Sequence, residues 1–298
     1  MGSAAAQCAL HPESPAVGTC ARCGRFGCAQ CLLSDGLCAE CARLAGDPYG
    51  LSRAFSYLEA VRIAVRLVVA ELPRVLFIVL VFSVPAAILQ AATPDQDDIT
   101  SLSRAVRTSA LYDWLAGTLG AQTMLALFIA RGEGRVLTLG QAFNEAAMNW
   151  NRAIGAAFRS GLWTTLFTLL LLIPGVWQAV LLMFSRVAAL RMKGDALEAS
   201  RAVVRGRFWT CFGLAAINFG VLLVSIAISI VTETVAESLD APTVLNEFVS
   251  DFITRVAGDA VGGALLYAGF VMLHVTAGTP LEPMHWRREL PLRQPSQS

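Results

Sequence analysis

Residues 156–192 read AAFRSGLWTTLFTLLLLIPGVWQAVLLMFSRVAALRM. On each side of Pro174-Gly175 lies an apolar run long enough to cross a hydrocarbon core about 30 Å thick, which takes roughly 20 helical residues. A Pro-Gly pair marks a tight turn. The stretch therefore predicts two spans, 156–173 and 175–192, with almost no loop between them. The same rule applied outward predicts spans at 75–93, 110–130, 210–231 and 256–277. The most polar of these is 110–130, which carries Asp113, Gly117, Gly120 and Gln122. Composition agrees with a bilayer rather than an oversized water-soluble core. The chain of 298 residues is 55% hydrophobic and 15% charged, with mean hydropathy +0.58, whereas soluble domains carry about 25% charged residues.

Arginine placement predicts the orientation. With the N-terminus inside, the 23 bases all fall on the inner side except Arg104, Arg107 and Arg255. The outer loops are acidic instead, with Asp95, Asp97, Asp98, Glu233, Glu237, Asp240, Glu247 and Asp251. Both termini are then cytoplasmic, and the expected location is a bacterial inner membrane. Lys193 stands alone among arginines, as in GC-rich bacterial coding. Residues 1–20 have neither a basic start nor an apolar h-region, so no signal peptide is expected. A net charge of +1 gives no global argument for nucleic acid as a partner.

Each pair of spans follows an amphipathic segment carrying arginine: 54–71, 139–155 and 196–213. These predict helices along the inner interface, with Trp150 and Trp209 at headgroup depth. Ala142 aligns with Ala199 and Gly155 with Gly213, which suggests a repeated unit. Gly258-x3-Gly262, Ala216-x3-Gly220 and Gly117-x3-Ala121 are candidate close-packing motifs.

The N-terminal 45 residues have a different composition. Cys8/His11, Cys20/Cys23, Cys28/Cys31 and Cys38/Cys41 are four pairs, each with two residues between its members. Eight ligands fill two tetrahedral zinc sites with nothing left over, and a two-residue gap points both side chains of a knuckle at one ion. Disulfides fit poorly, because the cysteines here are odd in number and one pair is completed by a histidine. Thiolate sites need a reducing compartment, which agrees with a cytosolic face. Only Gly24 to Gly27 separates the second pair from the third. That favours interleaving: Cys8, His11, Cys28 and Cys31 on one ion, Cys20, Cys23, Cys38 and Cys41 on the other. The sequential grouping is the alternative. The apolar residues available for a core are Leu10, Val17, Phe26, Leu32, Leu33 and Leu37. They are too few to offset the chain entropy of so small a module, whereas structural zinc supplies on the order of 10–16 kcal/mol per site.

The ordered pairs Cys8-x2-His11, Cys20-x2-Cys23 and Cys28-x2-Cys31 resemble the B-box zinc finger over about the first 41 residues. The resemblance implies two zinc ions in cross-brace order and a role in protein contacts. The last pair departs from it, being Cys38 and Cys41 where B-boxes usually carry histidines. Further on, IPGVW at 173–177 and SRVAALRMKGDALEASRAVVRGRFW at 185–209 resemble a bacterial six-span family related to the membrane domain of glycerophosphodiester phosphodiesterases. That similarity covers about residues 55–278 and implies a fold rather than a reaction.

No hydrolase elbow, H-E-x-x-H or P-loop is present, and His11, His274 and His285 are scattered. No enzyme is expected and no catalytic residue is assigned. Asp113, Gln122, Gln178, Asn218, Asp259 and His274 are the intramembrane polar candidates, with Asp113 and Asp259 placed near outer span ends. The expected fold class is mainly α: a polytopic helical membrane bundle of about six spans with interfacial amphipathic helices, plus a small N-terminal cross-brace zinc module. The expected divisions are the zinc module at 1–45, a linker at 46–53, the membrane domain at 54–278 and a disordered cytoplasmic tail at 279–298. The expected function is protein binding or scaffolding at the membrane through the zinc module, with membrane lipid and a cytosolic protein as partners. A transporter or lipid-handling protein with a regulatory zinc module, and a thiol or metal sensor, are the alternatives.

Overall fold

The computed structural model describes residues 6–9, 11–20, 23–28, 31–32, 38, 47–51, 54–91, 111–192, 194–238, 242–279 and 281. The expected tail lies outside these residues except for positions 279 and 281. A two-stranded antiparallel hairpin comes first, with β1 (Gly18–Thr19) paired to β2 (Phe26–Gly27). Part of the expected linker is docked: Leu51 N donates to Asp47 Oδ1 at 2.7 Å, and Leu51 is buried in the main core.

Three of the helices that follow start on side-chain caps. α1 (Tyr57–Ala70) opens on a capping box, in which Ser56 Oγ accepts from Glu59 N at 3.4 Å and Ser56 N donates to Glu59 Oε2 at 2.9 Å. Its buried residues, Ala60, Ile63, Ala64, Leu67 and Val68, recur at helical spacing. Glu71 interrupts the chain before the apolar α2 (Leu72–Ala91). A π-helical turn at Asp113–Gly117 leads into α3 (Thr118–Gly132). α4 (Leu139–Met148) has its own capping box, Thr138 with Gln141, and α5 (Trp150–Leu170) follows directly. α6 (Leu172–Leu182) and α7 (Ser185–Arg191) come next. α8 (Ala196–Val204) is capped by Asp195, whose Oδ1 accepts from Leu197 N at 2.8 Å. α9 (Phe208–Ser238) is the longest α-helix. α10 (Thr243–Arg255), a second π-helical segment at Val256–Val261 and α11 (Gly262–Thr276) run on as one helix.

Three times, then, a capped amphipathic helix precedes a long apolar one: α1 before α2, α4 before α5 and α8 before α9. Each amphipathic helix spends its apolar face on protein. α1 packs on α11, α4 on α3, and α8 on α6 and α7. The centre is α3, with 13 of its 15 residues buried, against α11, where Tyr267 Oη donates to Ile129 O at 3.5 Å. α2 lies along α10, and α9 runs antiparallel to α10 and α11.

Among the described residues, five helical stretches are long and apolar enough to cross a membrane: 72–89, 150–170, 172–191, 208–232 and 244–276. Each overlaps a stretch expected from the sequence. The sixth expected stretch, 110–130, is not among the five. It is helical from 111, but it carries the π turn and is packed almost entirely inside the bundle. Apolar exposure outside the core is large. Leu169 and Ile173, at the tip between α5 and α6, are 80% and 82% exposed. Burying such side chains is worth about 1.5–3 kcal/mol each, so a surface of this kind fits a bilayer rather than water.

The tip itself differs from the predicted turn. The chain breaks at Leu171, with φ −159° and ψ 136°, and Pro174 sits in the first turn of α6, where its missing N–H costs nothing. Gly175 serves the crossing instead. A Cβ there would lie 2.1 Å from Thr168 Oγ1 and 2.6 Å from Thr168 Cα.

One end of the bundle is tied by charge. Buried Glu71 pairs with Arg74 and, at 3.5 Å, with Arg131; Glu133 pairs with Arg191; Arg207 Nη1 donates to Leu273 O at 2.6 Å. These arginines are among those the sequence assigns to the inner side.

Candidate metal centre

Four tight backbone features build the N-terminal ligand set. Ser14 N donates to His11 O at 2.9 Å and Cys8 N to Ser14 O at 3.0 Å, which closes the first knuckle. Gly24 N donates to Cys20 O at 2.8 Å, and Gly24 takes φ +70°, a conformation glycine adopts without strain. Cys31 N donates to Cys28 O at 2.9 Å. The bridge between Leu32 and Cys38 returns the chain to the second pair. Gly27 permits that return, since a Cβ there would sit 2.9 Å from Leu32 Cγ.

The result is two clusters in the interleaved grouping. The ligand atoms of Cys8, His11, Cys28 and Cys31 all lie within 4.8 Å of one another, as do those of Cys20, Cys23 and Cys38. Cys41 lies outside the described residues. In the first cluster Cys8 Sγ is 3.7 Å from Cys31 Sγ, and His11 Nδ1 is 3.6 Å from Cys28 Sγ and 3.2 Å from Cys31 Sγ. In the second, Cys23 Sγ is 3.9 Å from Cys38 Sγ, and Cys38 N donates to Cys20 Sγ at 3.3 Å. A tetrahedron with metal–sulfur bonds of about 2.3 Å has sulfur–sulfur edges of about 3.8 Å and sulfur–nitrogen edges of about 3.6 Å. The sulfur–sulfur separations of 3.7 and 3.9 Å and the 3.6 Å His11–Cys28 separation lie close to those edges, and both clusters could hold a metal ion. None of the seven described cysteines is in a disulfide.

The electrostatics of the first cluster are those of close-set protonated groups. Burial is the largest effect pushing the Cys31 thiol up, to about 11, and hydrogen bonding with Cys8 and Cys28 adds to it. His11 is raised above its ordinary value, first by its hydrogen bond with Cys28 and then by that with Cys8. A divalent ion supplies the counter-charge that lets these sulfurs ionise in one place.

The module's apolar residues are used differently from the expectation. Leu32 packs against Cys20 and Cys38. Val17 and Phe26 are 65% and 49% exposed, next to exposed Arg25. A hairpin this short has one covered face, and the ligand cysteines occupy it.

The intramembrane candidates are scattered. The side chain of Asp113 lies outside the described residues. Asn218 Oδ1 stands where a Cβ on Gly262 would be, 2.5 Å away, so Gly262 is the close-packing glycine of its motif, while Gly258 meets nothing. Gln178 is buried in α6, and His274 Nδ1 is 3.4 Å from Thr279 Oγ1. Asp259 is not near a helix end, because 243–255 extends the last helix well beyond the expected start at 256. It sits mid-helix in the π segment and pairs with Arg186 at 3.2 Å. Gln122 Nε2 donates to Arg186 O at 3.4 Å. Arg255, buried, pairs with Asp251 at 2.7 Å. The sequence reading assigned Arg186 to the inner side and Arg255 to the outer side, and named neither as a partner of the intramembrane acids. The signal that would have found them is Asp251-x3-Arg255-x3-Asp259, which puts three charges on one helix face. The crevice beside Arg255 and Asp259 is too narrow for a water-sized sphere.

No protein-family model, curated protein or solved structure matches the chain.

Proposed function

We propose that the protein is a multi-pass inner-membrane protein whose cytosolic N-terminal module holds two structural zinc ions in B-box-like cross-brace order and docks another protein at the membrane surface. The observation that carries this reading is the tetrahedral grouping of Cys8, His11, Cys28 and Cys31 beside the exposed Val17, Arg25 and Phe26. Four protein ligands leave an ion no open position for water, so the metal supports structure rather than hydrolysis. Once metal holds the module together, its exposed aromatic and arginine are free to serve as contact residues, the types that dominate protein interfaces. Transport finds less support, because the polar residues at mid-bundle border a crevice without room for water. The test is proximity labelling in cells from the N-terminus of the full-length protein. A set of cytosolic proteins should be enriched with the wild type and lost with both Phe26→Ala and Cys28→Ser. Identical labelling by all three proteins contradicts docking.

A further inference from the structure

We propose that the basic cavity between α8, the Gly206 turn and the end of α11 binds the phosphate headgroup of an anionic phospholipid. The cavity measures about 470 Å³ and is bordered by Arg205, Arg207, His274, Thr279, Met192 and Val203, among others. That volume is in the range of about 300–1,000 Å³ typical of ligand pockets. Among the described residues no carboxylate borders it. A second hollow of about 440 Å³ lies on the other side of α8, and Arg205 borders both. There Arg159 is paired with Asp195 at 2.7 Å, and Arg201 stands with Glu198, so the excess positive charge gathers around Arg205 and Arg207.

The carbonyls at the end of α11 already accept backbone bonds, and one of them also takes Arg207. At the end of α11, Ala277 N donates to Leu273 O, Gly278 N to Val275 O and Thr279 N to His274 O, each at 3.1 Å. Arg207 uses one guanidinium nitrogen on Leu273 O, which fixes it at the cavity wall and leaves its other donors for a ligand. Arg205 is exposed and meets no carboxylate within ion-pair distance among the described residues. His274 Nε2 is buried without a hydrogen-bond partner among them. α9 begins at Phe208, so the positive end of its dipole lies beside the arginines. Two guanidinium groups bordering one space, beside the N-terminus of α9, form a receptor for a phosphate ester.

The surroundings indicate that this phosphate belongs to a lipid. Trp177 stacks on Phe208 with centroids 4.0 Å apart, and Trp209 and Phe212 complete a cluster of four rings next to Arg205 and Arg207. Trp209 is 78% exposed. Exposed tryptophan beside arginine marks headgroup depth. Below it, α9 exposes Phe219, Leu223 and Val224 to whatever surrounds the bundle, a path for acyl chains.

Native mass spectrometry of the full-length protein in detergent, titrated with phosphatidylglycerol or phosphatidylcholine, tests the assignment. Phosphatidylglycerol should be retained in preference to phosphatidylcholine. Arg205→Gln should weaken retention about fivefold, the effect of removing one base near an anionic surface. Arg66→Gln, which removes an exposed arginine on α1, should leave it unchanged. Ala202→Trp, on the exposed face of α8 and bordering both hollows, should abolish retention by filling the space with every charge in place. Equal retention of the two lipids, equal loss with Arg66→Gln and Arg205→Gln, or undiminished retention by Ala202→Trp overturns the proposal. Displacement of the lipid by millimolar inorganic phosphate also overturns it, because the species recognised is then a free anion.

Discussion

Cys28 sits at the junction of metal and fold. Its sulfur faces His11 Nδ1, and its carbonyl accepts from both Cys31 N and Leu32 N. Replacing the sulfur with the oxygen of Cys28→Ser removes a soft ligand and keeps the knuckle's backbone. The account predicts loss of one metal ion and rapid proteolysis before residue 47, with the helices still inserted. Limited proteolysis of membranes checks this, and unchanged resistance would show that metal does not hold the module together. The same sites respond to acid: protons compete with metal for thiolate, so occupancy falls as pH falls. Gly175 is the second residue whose chemistry is decisive. Even Gly175→Ala drives a methyl into Thr168, and overpacking of this kind costs about 1–3 kcal/mol. The thermal unfolding midpoint in detergent should drop accordingly, while a similar change at Gly161, where a Cβ meets nothing, should leave it unmoved.

At the scale of elements, three helix starts rest on side-chain caps, and α8 is the clearest case. Asp195 both caps the helix and pairs with Arg159. Asp195→Ala loses the cap and should cost about 1 kcal/mol. Asp195→Asn keeps a capping oxygen and loses only the charge. The Arg159 guanidinium holds the Asp195 carboxyl below its ordinary value of 3.8. A lowered folded value means that the contribution is complete above 3.8 and is lost as pH falls through the lowered one. Asparagine and wild type should therefore differ in thermal stability at neutral pH and converge only in strong acid. These elements were legible in the sequence to unequal degrees. Apolar runs located α2, α5, α6, α9 and α11, because length and hydropathy suffice for helices of this kind. The ligand spacing gave the two clusters, because two-residue knuckles restrict which sulfurs can meet. The reading failed where one helix changes character along its length. In 243–276 a polar-looking start, TVLNEFVSDFITR, continues into the apolar run, and Asp251, Arg255 and Asp259 fall on one helix face, with Arg255 buried, that a hydropathy window averages away. Val17 and Phe26 failed for another reason: apolar type alone does not distinguish a core residue from an exposed one in a module whose covered face is taken up by cysteines.

At the scale of the whole molecule, two kinds of physics meet in one chain. A bundle whose outer residues are apolar and whose central helices are covered on all sides carries a headpiece in which sulfur and imidazole converge. The docked segment at Leu51 joins them, since its side chain enters the bundle core next to Gly132. On the proposed reading the headpiece faces a reducing compartment, the side on which the arginine distribution leads one to expect it. A cell-impermeant thiol reagent applied to intact cells and to inverted vesicles should modify exposed Cys23 only in the vesicles, after metal is chelated. The most direct test of the account is the metal content of the full-length protein extracted from membranes, read by native mass spectrometry under non-reducing conditions. The account predicts a mass increment of two zinc ions and every cysteine recovered as a thiol. A metal-free protein with disulfides among Cys8, Cys20, Cys23, Cys28, Cys31 and Cys38 would contradict it.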